Sequence, residues 1–262
     1  MEKVNKLKKL INFYNLDGYI VPKNDEYFGE YIPENKDRLK FISNFSGSYG
    51  LALILKSKNY LFVDGRYTLQ ASIQSGKYFK IITIPDNLPF DVLKKRKLHI
   101  GFDPRLHTQR NLKIFFDKTN CKFVSINQNL ISKIWKKNKK DKLKKFYILP
   151  KKATGQGYKS KINKLLSKWK REKVNFQFIS SSENVAWLLN IRGQDSDFTP
   201  IANAYLAIDK NKKINLFCDL KKINSNFKRK IKDINIIDIK KTNLFLSKLK
   251  DKRVSIDSST CS

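Results

Sequence analysis

Residues 62–71, FVDGRYTLQA, change from a strand pattern to a helix pattern at Asp64 and Gly65. The carboxylate of Asp64 is able to accept amide protons at the start of the following helix, and Gly65 permits backbone conformations barred to bulkier residues. Arg66 either pairs with a carboxylate of the fold or projects toward a carboxylate-bearing substrate held by another domain. The stretch therefore predicts a strand, a structural turn at Asp64 and Gly65, and a helix.

Apolar runs on both sides of this stretch predict the other elements of the first half. Residues 51–55 and 60–63 predict an antiparallel hairpin, because both runs are apolar and Asn59 lies in the turn between them. The remaining predicted elements are helices over residues 3–14, 38–45 and 67–75 and strands over residues 19–21, 80–84 and 98–102. This mixture predicts an α/β domain in which helices flank a mixed sheet.

The second half repeats this order of elements with little sequence identity. Ser182 is placed to cap a helix over residues 183–189, because its hydroxyl is able to accept an amide proton of the first turn. The other predicted elements are a helix over residues 159–173, strands over 176–179, 234–239 and 254–256, and a hairpin over 204–208 and 214–218. We therefore predict a structural duplication: two α/β domains with mixed sheets, residues 1–135 and 159–262, joined by a linker over residues 136–158.

The net charge of +32 suggests a polyanionic partner in principle. Lysine greatly outnumbers arginine, however, and the lysines are spread along the chain, as AT-rich codon use would produce. A nucleic-acid site more typically concentrates arginine and interleaves aromatic side chains. The densest basic run, residues 136–145, is interpreted first as a solvated linker and second as a phosphate-binding strip. We predict no specific nucleic-acid partner and no membrane partner.

The sequence contains few side chains that could act as catalysts or as metal ligands. The three cysteines lie far apart and form no CxxC pair, so they predict neither a disulfide framework nor a zinc site. His99 alternates with apolar residues in a strand, which favours a structural role, and His107 has only Asp103 nearby as a metal ligand. Asp195 and Asp197 lie in a loop without the spacing of a calcium site. The sequence thus predicts no catalytic residue, no metal ligand and a cytoplasmic location, since it shows neither a signal peptide nor a long apolar run.

Several segments together carry a family resemblance. They are, in chain order, GYIVP (18–22), RLKFISNFSGSYG (38–50), FVDGRYTLQA (62–71), GFDP (101–104), NLISKIW (129–135) and ENVAWLLNIRG (183–193), with Asp195 and Pro200 after them. In this combination and order the chain resembles the N-terminal part of three-domain Xaa-Pro aminopeptidases, or aminopeptidase P. These enzymes are members of the creatinase and methionine-aminopeptidase superfamily, which has a pita-bread catalytic domain.

The resemblance implies two creatinase-like α/β domains, of which residues 159–262 form an incomplete second one, and a following catalytic domain with two manganese ions. None of the five metal ligands of that domain can be placed on a position of this sequence. The expectation is a truncated, non-catalytic portion whose partners are the catalytic domain and, at full length, a second copy of the enzyme. Arg66 and Tyr67 are then expected to face the catalytic domain, and Trp187 and Arg192 to make packing or interdomain contacts. The alternative is a stand-alone scaffold or binding module derived from this family.

Overall fold

The structure is a computed structural model, and it describes residues 1–136, 143–169 and 173–262. The chain divides into two compact units: Met1–Glu26 with Glu34–Lys140, and Tyr27–Pro33 with Asp141–Cys261. Part of the predicted linker, residues 137–142, lies outside the described residues. From Phe146 onward the predicted linker is built into the second unit, because Phe146 is buried in its core and the next two residues form a strand.

The first unit contains a six-stranded mixed sheet with the order β4-β3-β2-β1-β5-β6. Its strands are β1 (Gly18–Pro22), β2 (Gly50–Leu55), β3 (Asn59–Asp64), β4 (Lys80–Ile84), β5 (His99–Phe102) and β6 (Lys122–Ser125). Its helices are α1 (Glu2–Phe13), α2 (Arg38–Ser43), α3 (Thr68–Ser75), α4 (Pro89–Leu93), α5 (Gln109–Phe116) and α6 (Leu130–Ile134). Short 3-10 helices span Glu34–Lys36, Gly65–Tyr67 and Pro104–Leu106.

Successive side chains of the strands point to opposite faces of this sheet and form part of two apolar clusters, one on each face. Buried residues of α1, α2, α3 and α6 pack on one face, and buried residues of α4 and α5 pack on the other. Every strand except β2 runs in the same direction. We call the side of the sheet where those five strands end the carboxyl edge, and the side where they begin the amino edge.

The second unit contains a five-stranded sheet with the order β12-β11-β10-β8-β13 and a two-stranded sheet of β7 and β9. Its strands are β7 (Tyr147–Ile148), β8 (Phe176–Ile179), β9 (Ile191–Arg192), β10 (Ala204–Asp209), β11 (Ile214–Cys218), β12 (Ile234–Asp238) and β13 (Val254–Ser255). Its helices are α7 (Lys151–Thr154), α8 (Tyr158–Trp169), α9 (Ser182–Leu189), α10 (Ser225–Lys230) and α11 (Thr242–Ser247), with 3-10 helices at Leu220–Lys222 and Ile239–Lys241.

The order and directions of this sheet reproduce β4-β3-β2-β1-β5 of the first unit. In both sheets one strand, β2 or β10, is antiparallel to both of its neighbours, and the next pair on either side is parallel. The predicted duplication, and the prediction of two α/β units with mixed sheets, are confirmed.

The structure corrects several local predictions. The N-cap of α9 is Ser181, whose hydroxyl accepts the amide proton of Asn184, whereas Ser182 exchanges hydrogen bonds with the backbone of Ala204. The elements additional to the predicted ones are the helices α4, α5, α6, α7, α10 and α11 and the strands β6, β7 and β9. Helix α8 ends at Trp169 among the described residues, and residues 170–172 of the predicted helix lie outside them. None of the helices in the described segments combines the length and the apolar character that a membrane crossing requires.

Candidate functional site

The turn at Asp64 lies at the carboxyl edge, where β3 ends. Oδ1 of Asp64 accepts hydrogen bonds from the backbone amide and from Nε of Arg66, both at 2.9 Å, and Oδ2 accepts one from Nη2 of Arg66 at 3.3 Å. These hydrogen bonds lower the pKa of Asp64. The side chain of Arg66 is nevertheless 74% exposed. Asp64 therefore caps the turn and also holds the guanidinium of Arg66 in one orientation.

The backbone conformation at Gly65 does not require glycine. The φ angle of Gly65 is not positive, and a Cβ atom on it would make only an ordinary contact at 3.7 Å with Thr83. This turn therefore does not use the additional backbone freedom that glycine permits.

Tyr67 is fixed on the side of the turn that faces the core. Its hydroxyl shares a hydrogen bond of 2.7 Å with Ser48, and its ring packs edge-on against the buried Phe45. The next turn of the chain presents Leu69 and Ile73, which are 75% and 78% exposed. Leu69 and Ile73 are four residues apart, so they lie along one side of α3, and Arg66 lies in the 3-10 helix just before it. We call this set the α3 face.

The same acid and base spacing recurs where β5 ends. Oδ1 of Asp103 accepts hydrogen bonds from the backbone amide and Nε of Arg105, and Oδ2 accepts hydrogen bonds from Nη2 of Arg105 and Nδ2 of Asn129. Asp219 and Asp238 cap 3-10 helices in the second unit in the same way, each through the backbone amide two residues later. The DGR sequence is therefore one instance of a strand-end cap that this chain uses in both units.

A buried ionic network lies between these corners, beyond the end of β1. Arg38, with a side chain only 6% exposed, donates a hydrogen bond to Glu26, and Lys36 lies 3.6 Å from the same carboxylate. Burial opposes ionisation of Glu26, but the charges of Lys36 and Arg38 outweigh it and lower the pKa of Glu26 to about 2. Lys23 and Asp37 form a second buried pair beside it, at 2.5 Å. Sequence analysis missed this network.

His107 is the most unusual titratable group at the carboxyl edge. It is 4% exposed, its ring packs edge-on against Phe102, and its buried Nε2 atom has no hydrogen-bond partner among the residues that the structure describes. Burial lowers the pKa of His107 to about 4, although the nearby Asp103 carboxylate acts in the opposite direction. His107 is therefore a neutral core residue at neutral pH.

The second unit places Trp187 and Arg192 around the C-terminal end of α9. Nη1 of Arg192 donates hydrogen bonds to the carbonyl oxygens of Ala186 and Ile191, at 3.0 and 2.9 Å. Nζ of Lys161 donates to the carbonyl of Trp187 and to Oδ1 of Asn190, and it lies 4.2 Å from the centre of the indole ring. Two cations thus satisfy the carbonyl groups at this helix end. Trp187 itself is 60% exposed.

Two features hold the loop after Arg192: a close approach of its backbone to that of residues 201–202, and the hydrogen bonds of the Asp195 carboxylate. A Cβ atom on Gly193 would lie 2.9 Å from both the Cα of Ala202 and the carbonyl oxygen of Ile201, so this position requires glycine. Asp195 accepts hydrogen bonds from Nζ of Lys222 and from the amide of Asn203. The carboxylate of Asp195 is therefore engaged in organising this loop.

The structure brings the predicted site residues together only in part. Arg66 and Tyr67 are adjacent in the first unit, and Trp187 and Arg192 share the end of α9 in the second. Among the described residues, no group of three or more histidine, cysteine or acidic side chains is arranged to hold a metal ion. The three cysteines are free.

Comparison with known proteins assigns both units. Residues 3–134 match one model of the creatinase/prolidase N-terminal domain, and residues 136–262 match a second model with the same description. The chain is 31% identical over 228 residues to a probable Xaa-Pro aminopeptidase P of Laccaria bicolor, which covers 83% of this chain and 35% of the relative. It is 30% identical over 249 residues to Xaa-Pro aminopeptidase 1 of Dictyostelium discoideum, which covers 88% of this chain and 39% of the relative.

A solved structure is similar to nearly the whole length of the chain. The X-prolyl aminopeptidase of Caenorhabditis elegans, a cytosolic enzyme with a di-nuclear active site, superposes with a TM-score of 0.88 and 27% identity, covering 97% of this chain and 46% of that protein. The chain spans little more than a third of the length of the curated relatives it matches. Its relatives are Xaa-Pro aminopeptidases, and the chain belongs to the creatinase/prolidase N-terminal domain family.

Proposed function

We propose that this chain is the non-catalytic, N-terminal portion of a cytoplasmic Xaa-Pro aminopeptidase, an enzyme that removes the residue before proline with the help of two manganese ions. The observation that carries the proposal is the superposition of 97% of the chain on less than half of the X-prolyl aminopeptidase of C. elegans. The proposed metal centre belongs to the catalytic domain, and this chain contributes architecture around it. The proposed partners are that domain and, at full length, a second copy of the enzyme.

The hydrogen bonds of three aspartates support a non-catalytic role for the chain. Asp64, Asp103 and Asp195 are each engaged by backbone amides and by a cation of their own unit. A general base needs a carboxylate that is available to a substrate proton, and these three are already committed to structure.

The α3 face supplies the contact that we assign to the catalytic domain. Leu69 and Ile73 leave an apolar stripe uncovered beside the oriented guanidinium of Arg66. Apolar side chains at the centre of an interface with a charged residue at its rim are typical of protein contacts. In the second unit, the exposed indole of Trp187 is the corresponding anchor.

Two measurements test the proposal. The purified chain with Mn²⁺ is expected to release no N-terminal residue from an Xaa-Pro peptide above the buffer control; turnover that requires Mn²⁺ would contradict the non-catalytic role. The catalytic portion of the D. discoideum relative, added in trans, is expected to bind the chain. Ile73→Ser should weaken this binding about tenfold or more, since a buried isoleucine contributes about 2 kcal/mol.

Ile114→Ser is the matched control. Ile114 is also an exposed helical isoleucine of the first unit, 51% accessible, but its helix packs on the opposite face of the sheet. Equal weakening by both substitutions would contradict the assignment of the α3 face.

A further inference from the structure

Exposed cations collect at the amino edge of the first unit. The turn before β5 contains four consecutive basic residues, and it lies against the turn before β6, because the amide of Lys122 donates to the carbonyl of Leu98 and the thiol of Cys121 donates to the carbonyl of Arg96. We call these exposed residues the basic cluster: Lys94, Lys95, Arg96, Lys97, Lys118 and Lys122.

The cations continue along the same edge toward β4. Lys56 and Lys58 lie in the hairpin turn between β2 and β3, and Lys77 and Lys80 lie at the start of β4. All four are exposed. Six strands at a spacing of about 4.8 Å make this a line of positive charge about 24 Å long.

The two edges of the sheet differ in how their charges are paired. At the carboxyl edge the cations have acidic partners, as in the pairs Lys23–Asp37 and Arg38–Glu26. Within the described part of the chain, no member of the basic cluster forms an ion pair, and Asp17 at this edge already accepts from Lys56 and from the amide of His99. Lysines are spread along the whole sequence, so the amino edge differs from the carboxyl edge in the pairing of its cations and not in their presence.

An exposed aromatic side chain precedes β1, the fourth strand in the order of this sheet. Phe13 is the last residue of α1, the chain enters β1 five residues later, and its ring is 76% exposed. Exposed rings beside a track of cations are typical of surfaces that bind single strands, because a base stacks on the ring while lysines contact the phosphates.

We propose that the amino edge of the first unit binds single-stranded nucleic acid through its phosphate backbone, without selecting a base sequence. Its charges are arranged in a line, which suits a polyphosphate chain better than a lipid surface. No residue of the α3 face belongs to the basic cluster, and Arg66 lies at the carboxyl edge, so the two proposed partners use different residues of the first unit.

The chain provides a matched pair of variants for the test. Residues 95–97 and residues 228–230 are both Lys-Arg-Lys and both are exposed, the first within the basic cluster and the second at the end of α10 in the other unit. The variants K95Q/R96Q/K97Q and K228Q/R229Q/K230Q of the full chain therefore have the same net charge. The probe is a 20-nucleotide oligouridylate with a fluorescein label, followed by anisotropy between 50 and 200 mM KCl.

We expect the first triple variant to bind at least about tenfold more weakly than the unchanged chain at 100 mM KCl. Its slope of log affinity against log salt should be smaller by about 2, since each lost phosphate contact accounts for about 0.7. The second triple variant should remain within about twofold. Phe13→Ser should weaken binding about fivefold or more and leave the salt slope unchanged.

Any of four results would overturn the proposal. Equal weakening by both triple variants would assign the binding to total charge and not to the edge. Equal affinity for a 20-base-pair duplex, or no effect of Phe13→Ser, would reject the single-strand assignment. Binding to phosphatidylserine vesicles that depends on residues 95–97, without binding of the oligouridylate, would assign the edge to a membrane surface.

Discussion

The buried imidazole of His107 makes the stability of the first unit depend on pH in a range where few carboxylates titrate. The pKa of His107 is about 4 in the folded chain and 6.5 at its ordinary value. A group whose pKa is lowered by folding binds protons more readily when unfolded, so stability is fully present above pH 6.5 and is lost as pH falls toward 4. The loss between pH 7.5 and pH 5.0 is about 2 kcal/mol, and the full loss near pH 4 is about 3 kcal/mol.

The experiment compares the full chain with His107→Gln, which removes the titration and keeps a polar side chain of similar reach. Urea unfolding followed by circular dichroism at pH 7.5 and 5.0 gives the free energy of unfolding of each protein. The unchanged chain should lose about 2 kcal/mol more than the variant over this interval, whatever the stability of the variant at pH 7.5. The pKa of Glu26 is lowered to about 2, so the stability that Glu26 contributes is lost mainly below pH 4.5 and leaves the comparison intact.

A direct measurement is also available because the chain has only two histidines. The Cε1 proton resonances of His99 and His107 are assigned by the variant His99→Gln, and His107 is expected to stay neutral down to pH 5. Protonation of His107 above pH 6 in the folded chain, or equal losses of stability in the unchanged chain and in His107→Gln, would refute this reasoning.

Two further substitutions test the packing and the ionic network. Gly193→Ala should lower the free energy of unfolding by about 1–3 kcal/mol, because the new methyl group meets backbone atoms at 2.9 Å, whereas Gly157→Ala, which meets nothing within 4 Å, should be neutral in the same urea titration. Arg38→Met should cost about 3 kcal/mol at pH 7 and less as pH falls from 4.5 toward 2, because Glu26 is then protonated. Lys40→Met, which removes a pair with the largely exposed Glu34, should cost less than about 1 kcal/mol; equal losses for both would contradict the importance of burial.

Strands rich in apolar residues were predictable from sequence, and most strands with only one or two apolar residues were not. The strands Lys80–Ile84 and Phe176–Ile179 have the predicted bounds. Strand β6, Lys122–Ser125, has only two apolar side chains between polar ones, and it is defined by its pairing with β5. The N-cap of α9 was misplaced by one residue because two consecutive serines are equivalent as local caps. Contact with the backbone of Ala204 decides between them.

The site was predictable where its chemistry is local. The hydrogen bonds of Asp64 to Arg66 span two residues, so the motif itself contains them. The pairs Arg38–Glu26 and Asn129–Asp103 join residues 12 and 26 positions apart, and no sequence period marks them. One feature of the sequence marks Lys161 as a buried cation. It lies four residues before Leu165, on the side of α8 that is otherwise apolar.

The duplication explains why the turn at Asp64, Gly65 and Arg66 resembles a catalytic site although its acid has a structural role. Asp64, Asp103, Asp219 and Asp238 all cap a 3-10 helix through the amide two residues later, so the acid at this spacing is a requirement of the strand end. A reaction that needs one acid does not account for four such caps distributed over two units. Asp103 orients Arg105 through the same two guanidinium hydrogen bonds, so what distinguishes the corner at Asp64 is the pair of exposed apolar side chains that follows it, Leu69 and Ile73. We therefore interpret FVDGRYTLQA as part of the proposed contact surface, in which Asp64 holds the turn in place.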